Sequence, residues 1–246
     1  KKRGLLTAFQ PASFDDFPAS FRDRENEWHG FAARARVLIV NRDRLPPAEY
    51  PTSIRDLAEE RWKGRVGIAK PLFGTTATHA AILFDQWGTV EAQTFFRRVR
   101  DNAQVLAGNK QVALAVARGQ LDWGLTDTDD AIIEKEKGMP VDIVYPDASG
   151  TGTLFIPNCL AIIKDGPNPE AAEKLVDYLL RAEIELQLWA GPSAQIPLST
   201  SVPHNDPNAR VETPHSIHAM NVDWASAAEQ WDAAAKFLRD EFARGG

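Results

Sequence analysis

Asp127, Asp129 and Asp130 put three carboxylates within four residues, in the run Gly124-Leu125-Thr126-Asp127-Thr128-Asp129-Asp130. Like charges that close repel one another and cost stability unless a cation, a proton or a helix N-terminus compensates them. Two chemistries fit the spacing. In the first, Asp127 is an N-cap and Asp130 the third helical residue, a carboxylate version of the capping box. First-turn acids then complement the helix dipole by about 0.3–1 kcal/mol each. In the second, at least one of the three meets a cation or a donor-rich ligand. Capping accounts for one or two acids more readily than for three. The run is not an EF-hand, because Ile132 stands where that loop requires Gly and Gly138 where it requires Glu. Asp129-Asp130-x-x-x-Glu134 is one residue longer than the D-D-x-x-E of magnesium-dependent prenyl chemistry, which also demands an all-helical barrel.

Two further turns suit the opposite charge. Gly74-Thr75-Thr76 and Gly108-Asn109 both stand where a strand hands over to a helix. Backbone N–H groups and small polar side chains at such N-termini receive anions, although Thr and Asn also serve as ordinary caps. Arg34 and Arg36 alternate along a predicted strand, which puts both guanidinium groups on one face. Such a fork fits a carboxylate, carbonate or phosphate, and it also fits a plain salt bridge. The histidines are less informative. His204, His215 and His218 fall in a Pro-rich tail and read as surface loop. His79 lies inside a helix and reads as packing. No G-x-S-x-G, Walker A, H-E-x-x-H or G-x-G-x-x-G occurs, and no side chain is placed as a nucleophile.

The elements that must carry these turns alternate in type. Short strands are predicted at Val37–Val40, Val66–Ala69, Ala103–Leu106, Leu121–Thr126 and Val141–Tyr145. A longer one, Leu154–Ile163, is broken at Pro157-Asn158. Helices are predicted from Thr52 or Ser53 to Arg61, then over Thr76–Trp87, Val90–Arg100, Lys110–Arg118, Asp129–Lys137, Pro169–Leu180, Ala182–Trp189 and Trp224–Phe242. Strands alternating with helices imply an α/β fold with a largely parallel sheet. Ligands of such sheets bind at the carboxyl ends of strands, where all three turns lie.

The bulk of the chain excludes several classes. Its 246 residues suffice for one large or two small domains with a core. With 43% hydrophobic and 25% charged residues it has the composition of a globular protein. A net charge of −6 without a basic block argues against nucleic acid. Cys159 is the only cysteine, which excludes an internal disulfide and a Cys-rich zinc site. No apolar run is long enough to insert in a membrane. The start, Lys1-Lys2-Arg3-Gly4-Leu5-Leu6, lacks the apolar stretch of a signal peptide, so either the protein is cytoplasmic or the chain begins after a processing point.

Three segments carry a family resemblance. Trp28-His29-Gly30-Phe31-Ala32-Ala33-Arg34-Ala35-Arg36-Val37-Leu38-Ile39-Val40-Asn41 resembles the W-x-G-x-x-x-R-x-R-V-x-x-x-N signature of the ferric-ion-type extracellular solute-binding proteins (family 1) of ABC importers. The stretch from Leu106-Ala107-Gly108-Asn109 to Arg118-Gly119-Gln120 is similar to that family's G-N-x-x-V-x-x-A-V-A-x-G-E block. Asn168-Pro169-Glu170-Ala171-Ala172 through Val176-Asp177-Tyr178-Leu179-Leu180 resembles its N-P-E-A-A-x-x-x-V-D-x-L-L helix. The similarity spans most of residues 1–200 in order.

The resemblance implies a type II periplasmic-binding-protein fold, two α/β lobes joined by two crossing strands, with the solute in the cleft. It divides the chain into 1–36 with 154–200 as the remainder of lobe 1 and the crossing strands, 37–153 as lobe 2, and 201–246 as a C-terminal loop and helix packing on the lobes. The first part of lobe 1 is then missing before Lys1. The implied function is extracytoplasmic solute capture for an ABC permease by a hinge that closes on its ligand, with no enzymatic activity. The implied location is periplasmic or extracellular, with a lipid anchor on the full-length form as one option. The implied state is a monomer that neither inserts in a membrane nor binds nucleic acid.

In the family's iron-binding members the turn after the G-L strand carries Asn-x-Tyr-Tyr, whose phenolates bind ferric ion. The same register here holds Asp127-Thr128-Asp129-Asp130, so Asp129 and Asp130 become the implied metal ligands. Carboxylates are hard donors for Fe³⁺ or a divalent ion. The implied contacts of a synergistic anion are Gly74, Thr75, Thr76, Asn109, Arg34 and Arg36, with Asp127 beside them. No catalytic cofactor is expected, only a bound metal with its anion. Three competing readings stay open: a small organic anion such as a phosphonate or sugar phosphate as cargo, a ligand-sensing domain of a larger regulatory protein, and an enzyme using the Asp cluster with a bound metal.

Overall fold

A computed structural model describes residues 1–192, 194–203 and 209–243. The chain divides into two compact units. The smaller holds Lys1–Arg34 and Phe155–His218, the larger Ala35–Leu154 and Ala219–Gly246.

Eight strands and eight α-helices are present among the described residues. The strands are β1 (Leu6–Thr7), β2 (His29–Asn41), β3 (Val66–Ala69), β4 (Gln104–Leu106), β5 (Trp123–Asp127), β6 (Val141–Val144), β7 (Phe155–Leu160) and β8 (Ile162–Ile163). The helices are α1 (Gly74–Trp87), α2 (Thr89–Asn102), α3 (Asn109–Ala117), α4 (Thr128–Glu136), α5 (Pro169–Leu179), α6 (Ala182–Ala190), α7 (Trp224–Glu229) and α8 (Trp231–Phe242).

The larger unit is built on a sheet of order β4-β3-β5-β2-β6. β3 runs parallel to β4 and β5, whereas β2 is antiparallel to both β5 and β6. The largely parallel sheet expected from alternation is therefore a mixed sheet. The cause is β2, which enters against the βαβ direction and continues for 13 residues where the apolar run suggested four. Ala35 through Val40 are buried on both faces, as a central strand requires.

Helix α3 lies close on this sheet because Gly124 leaves room for it. Gly67 and Gly124 are register partners on β3 and β5. A Cβ on Gly124 would strike the Val112 side chain of α3 and stand 2.8 Å from the Gly67 carbonyl oxygen. This approach fixes where the N-terminus of α3, and with it Asn109, sits beside the end of β5. A core of Leu38, Ile68, Phe84, Phe96, Trp62 and Trp123, among others, holds the arrangement. Trp62 and Trp123 meet edge to face with centroids 5.6 Å apart. α8 closes the core with Phe237 5.8 Å from Phe84.

Three further expectations are corrected. The helix drawn from Ser53 to Arg61 is two 3₁₀ turns, Ile54–Ala58 and Glu60–Trp62, separated by the extended Glu59. Ser53 does cap the first turn in a capping box with Asp56. The long C-terminal helix is two helices, parted at Gln230, the first capped by Asp223. Pro157-Asn158 does not break its strand, because β7 runs through both residues and the interruption comes at Ala161.

In the smaller unit β1 pairs antiparallel with β8. Its buried Glu185, on α6, accepts hydrogen bonds from the backbone N–H groups of Ala32 (2.7 Å), Leu198 (3.0 Å) and Ser199 (2.7 Å). The carboxylate thus ties three segments together, and burial pushes its pKa up against those bonds.

Candidate functional site

All three turns singled out by residue type meet in the larger unit, at the carboxyl ends of β3, β4 and β5. β5 ends at Asp127, and the antiparallel register with β2 sets Arg36 directly opposite. Both side chains are withdrawn from solvent, Arg36 at 0% and Asp127 at 4% exposure. The Arg36 guanidinium donates through Nη1 to Asp127 Oδ1 at 2.6 Å. The other carboxylate oxygen, Oδ2, accepts from the Thr75 hydroxyl at 2.6 Å and from Asn109 Nδ2 at 2.8 Å. Arg36 also donates to Asn109 Oδ1 at 3.1 Å, and to the hydroxyl oxygens of Thr75 and Thr76, each at 3.3 Å. Arg36 Nε has no hydrogen-bond partner.

Each element contributes one part of this network. Thr75 and Thr76 open α1, Asn109 opens α3, Asp127 precedes α4, and Arg36 comes from the central strand. The first-turn N–H groups of α1 and α3 have no partner within their own helices. Gly74, the first residue of α1, adopts φ +64°, and a Cβ placed on it would meet nothing within 4 Å. The start of α1 therefore faces open space. Thr126 donates to the Asn109 carbonyl at 3.0 Å, which locks the α3 N-terminus to β5.

Asp127 stands at the N-cap position of α4 but makes no capping bond. The capping-box reading is corrected: the cross-strand arginine and two helix-terminal donors outcompete the local amides for its carboxylate. Thr128 turns back instead, its hydroxyl accepting from the Ala35 N–H at 3.1 Å. Asp129 and Asp130 are half-buried in the first turn of α4, and the Asp130 N–H donates to Asp129 Oδ1 at 3.2 Å. One oxygen from each of Asp127, Asp129 and Asp130 lies within 4.8 Å of the others, a group able to hold a metal ion.

The two arginines of the expected fork each bond to residues of their own unit. Arg36 is committed to Asp127, whereas Arg34 donates in the smaller unit to Asn158 Oδ1 and Gln195 Oε1, both at 3.4 Å. Strand alternation can put two side chains on one face, but it does not by itself decide which residues they bond. Asn158 and Gln195 were not singled out by sequence; isolated amides carry no spacing signal. His204 lies outside the described residues. His215 and His218 belong to neither of the metal-capable groups found among the described residues.

His79, on α1, is buried as expected of a packing residue, and its Nε2 has no partner. Desolvation lowers its pKa to about 3, and the nearby Arg36 charge adds to the effect. The imidazole is neutral in the folded chain and regains its proton on unfolding below pH 6.5. A depressed folded pKa gives stability that is complete above 6.5 and drains away as pH falls toward 3. Urea unfolding of the wild type and His79→Leu across that window should diverge by up to about 1.4 kcal/mol per pH unit, the wild type losing more. Parallel curves would show that His79 protonates without cost.

The comparisons with known proteins agree with this architecture. Iron uptake protein A1 of a Synechocystis strain is 26% identical over 212 residues, covering 80% of this chain and 58% of that protein. Iron-bound HitA of Pseudomonas aeruginosa superposes with a TM-score of 0.86 at 23% identity, over 98% of this chain and 77% of that one. AfuA of Actinobacillus pleuropneumoniae, with exogenous fructose-6-phosphate bound, superposes with a TM-score of 0.82 at 23% identity, over 99% and 78%. The chain spans 58–65% of the length of the first curated relatives it matches. The two structural likenesses show the type II periplasmic-binding-protein fold. The family model described as bacterial extracellular solute-binding protein matches residues 1–230, and the chain belongs to that family.

Proposed function

We propose that the chain is the extracytoplasmic solute-binding component of an ABC importer and that its cargo is a metal ion of the iron type. The observation that carries this reading is the Asp127–Asp129–Asp130 group, three carboxylates converging within 4.8 Å. Carboxylates gathered this closely repel one another, and a cation among them relieves that repulsion. Asp129 and Asp130 supply the hard oxygen donors that suit iron or a divalent ion. The Synechocystis relative is an iron uptake protein and the HitA structure is iron-bound, which supports the same cargo.

Gly74, Thr75, Thr76, Asn109 and Arg36 shape the floor of the site, and Arg34 is a candidate solute contact of the smaller unit. The chain binds without turnover: the Asp127 carboxylate is spent on Arg36, Thr75 and Asn109 and is no free base. Its partner is an ABC permease, to which it delivers cargo as a monomer at the outer side of the membrane, free or lipid-anchored. No helix among the described residues is long and apolar enough to cross a membrane. A small organic anion is the weaker cargo, because Arg36, the one fully buried arginine among the described residues, is already neutralised.

Thermal unfolding against Fe³⁺, divalent ions and phosphorylated sugars tests the proposal. A cargo present at a hundred times its Kd adds about 2.7 kcal/mol, roughly 5–10 °C for a chain of this size. Stabilisation by iron or another metal is the expected result. Stabilisation by a sugar phosphate with none from any metal would overturn it.

A further inference from the structure

The residues that suit an anion are already holding one. Arg36, Thr75 and Asn109 are the donors that the α1 and α3 termini and the central strand present to a negative group. All three point at the Asp127 carboxylate, at 2.6, 2.6 and 2.8 Å. We propose that Asp127 is a built-in anion: its carboxylate fills the oxyanion pocket of this site, so that cation capture at Asp129 and Asp130 requires no free anion bound alongside.

Three observations support the assignment. Asp127 accepts nothing from its own helix, although it occupies the N-cap position, so local structure does not explain where its side chain points. Its two oxygens divide the donors between them, Arg36 on one and Thr75 with Asn109 on the other, as the oxygens of a bound oxyanion would. Arg36 is wholly buried and Asp127 is the only acid that salt-bridges it among the described residues, so the pocket is electrically closed. A phosphate entering it would meet a carboxylate where it needs hydrogens. Removing that one negative charge leaves a buried guanidinium, Asn109 Nδ2 and the helix-terminal amides facing an empty space, which is an anion site. Asp127 thereby acts as a specificity-determining residue, setting whether the cargo is a bare cation or a cation with an anion.

The inference rests on reading this pocket as part of the solute site, but its test contains no metal. Failure of the test therefore leaves the cation reading standing. Inorganic phosphate is titrated calorimetrically into metal-free wild type, Asp127→Asn and Asp127→Glu. Wild type and Asp127→Glu should show no binding, while Asp127→Asn should bind phosphate at least about tenfold tighter than the weakest affinity the titration resolves and recover thermal stability as phosphate is added. Equal phosphate affinity in wild type and Asp127→Asn overturns the proposal, as does a folded Asp127→Asn that binds no phosphate. The wild-type titration stands on its own if Asp127→Asn fails to fold, because phosphate binding by the wild type contradicts a filled pocket.

Discussion

Asp127→Ala should lower the stability of the folded chain by about 3–5 kcal/mol, the cost of leaving a buried charge without its partner. The geometry explains the size. Arg36 has 0% exposure and cannot turn to water, so its charge stays inside when the carboxylate goes. Thr75 and Asn109 also lose the acceptor they share. An exposed pair such as Arg55 with Glu91, both about half accessible, is worth only about 0–1 kcal/mol by contrast. Arg36→Met should cost a similar amount, by stranding Asp127 instead. The double variant Arg36→Met/Asp127→Leu should recover much of the loss, since an apolar pair of similar volume removes both desolvation costs together. Chemical denaturation of the wild type, Arg36→Met, Asp127→Leu and the double variant measures this coupling. A loss under about 1 kcal/mol in Asp127→Ala would mean that water reaches Arg36.

The second large effect falls on binding and leaves the fold intact. Asp129→Asn/Asp130→Asn should weaken metal affinity by more than about a hundredfold, because removing ligands costs more than the 10–100-fold typical of their outer-shell supports. The same double variant should change the stability of the metal-free chain little. Loss of favourable charge at the α4 N-terminus costs about 0.3–1 kcal/mol per residue, and relief of like-charge repulsion within the turn works the other way. The two readouts separate the roles of the acidic turn. If Asp129 and Asp130 serve only the helix, affinity is unchanged and the metal-free protein is weakened.

Local chemistry made the participants legible before their partnerships. Helix N-termini at Gly74 and at Asn109 follow from glycine and small polar residues at strand ends, and both stand within two residues of the predicted starts. The acidic turn was visible from its charge density alone. What residue spacing does not encode is the register of β2 against β5, which sets Arg36 opposite Asp127. That register depends on the buried strand as a whole, from Arg36–Asp127 to Val40–Trp123, and a shift of one residue would turn Arg36 to the other face. Asp127 was legible as a helix cap for the same reason: caps are local, and the competing donors come from residues 18 to 91 positions away. The antiparallel entry of β2 was hidden likewise, since its apolar run reads the same in either direction.

The claim that a cation is held by Asp129 and Asp130 is tested most directly by diffraction at the iron absorption edge from crystals of iron-loaded protein. The account predicts an anomalous peak against the Asp129 and Asp130 carboxylates at the start of α4. Iron bound instead at the other acidic group, Asp23 with Glu25 and Glu27, and absent from α4, would contradict it.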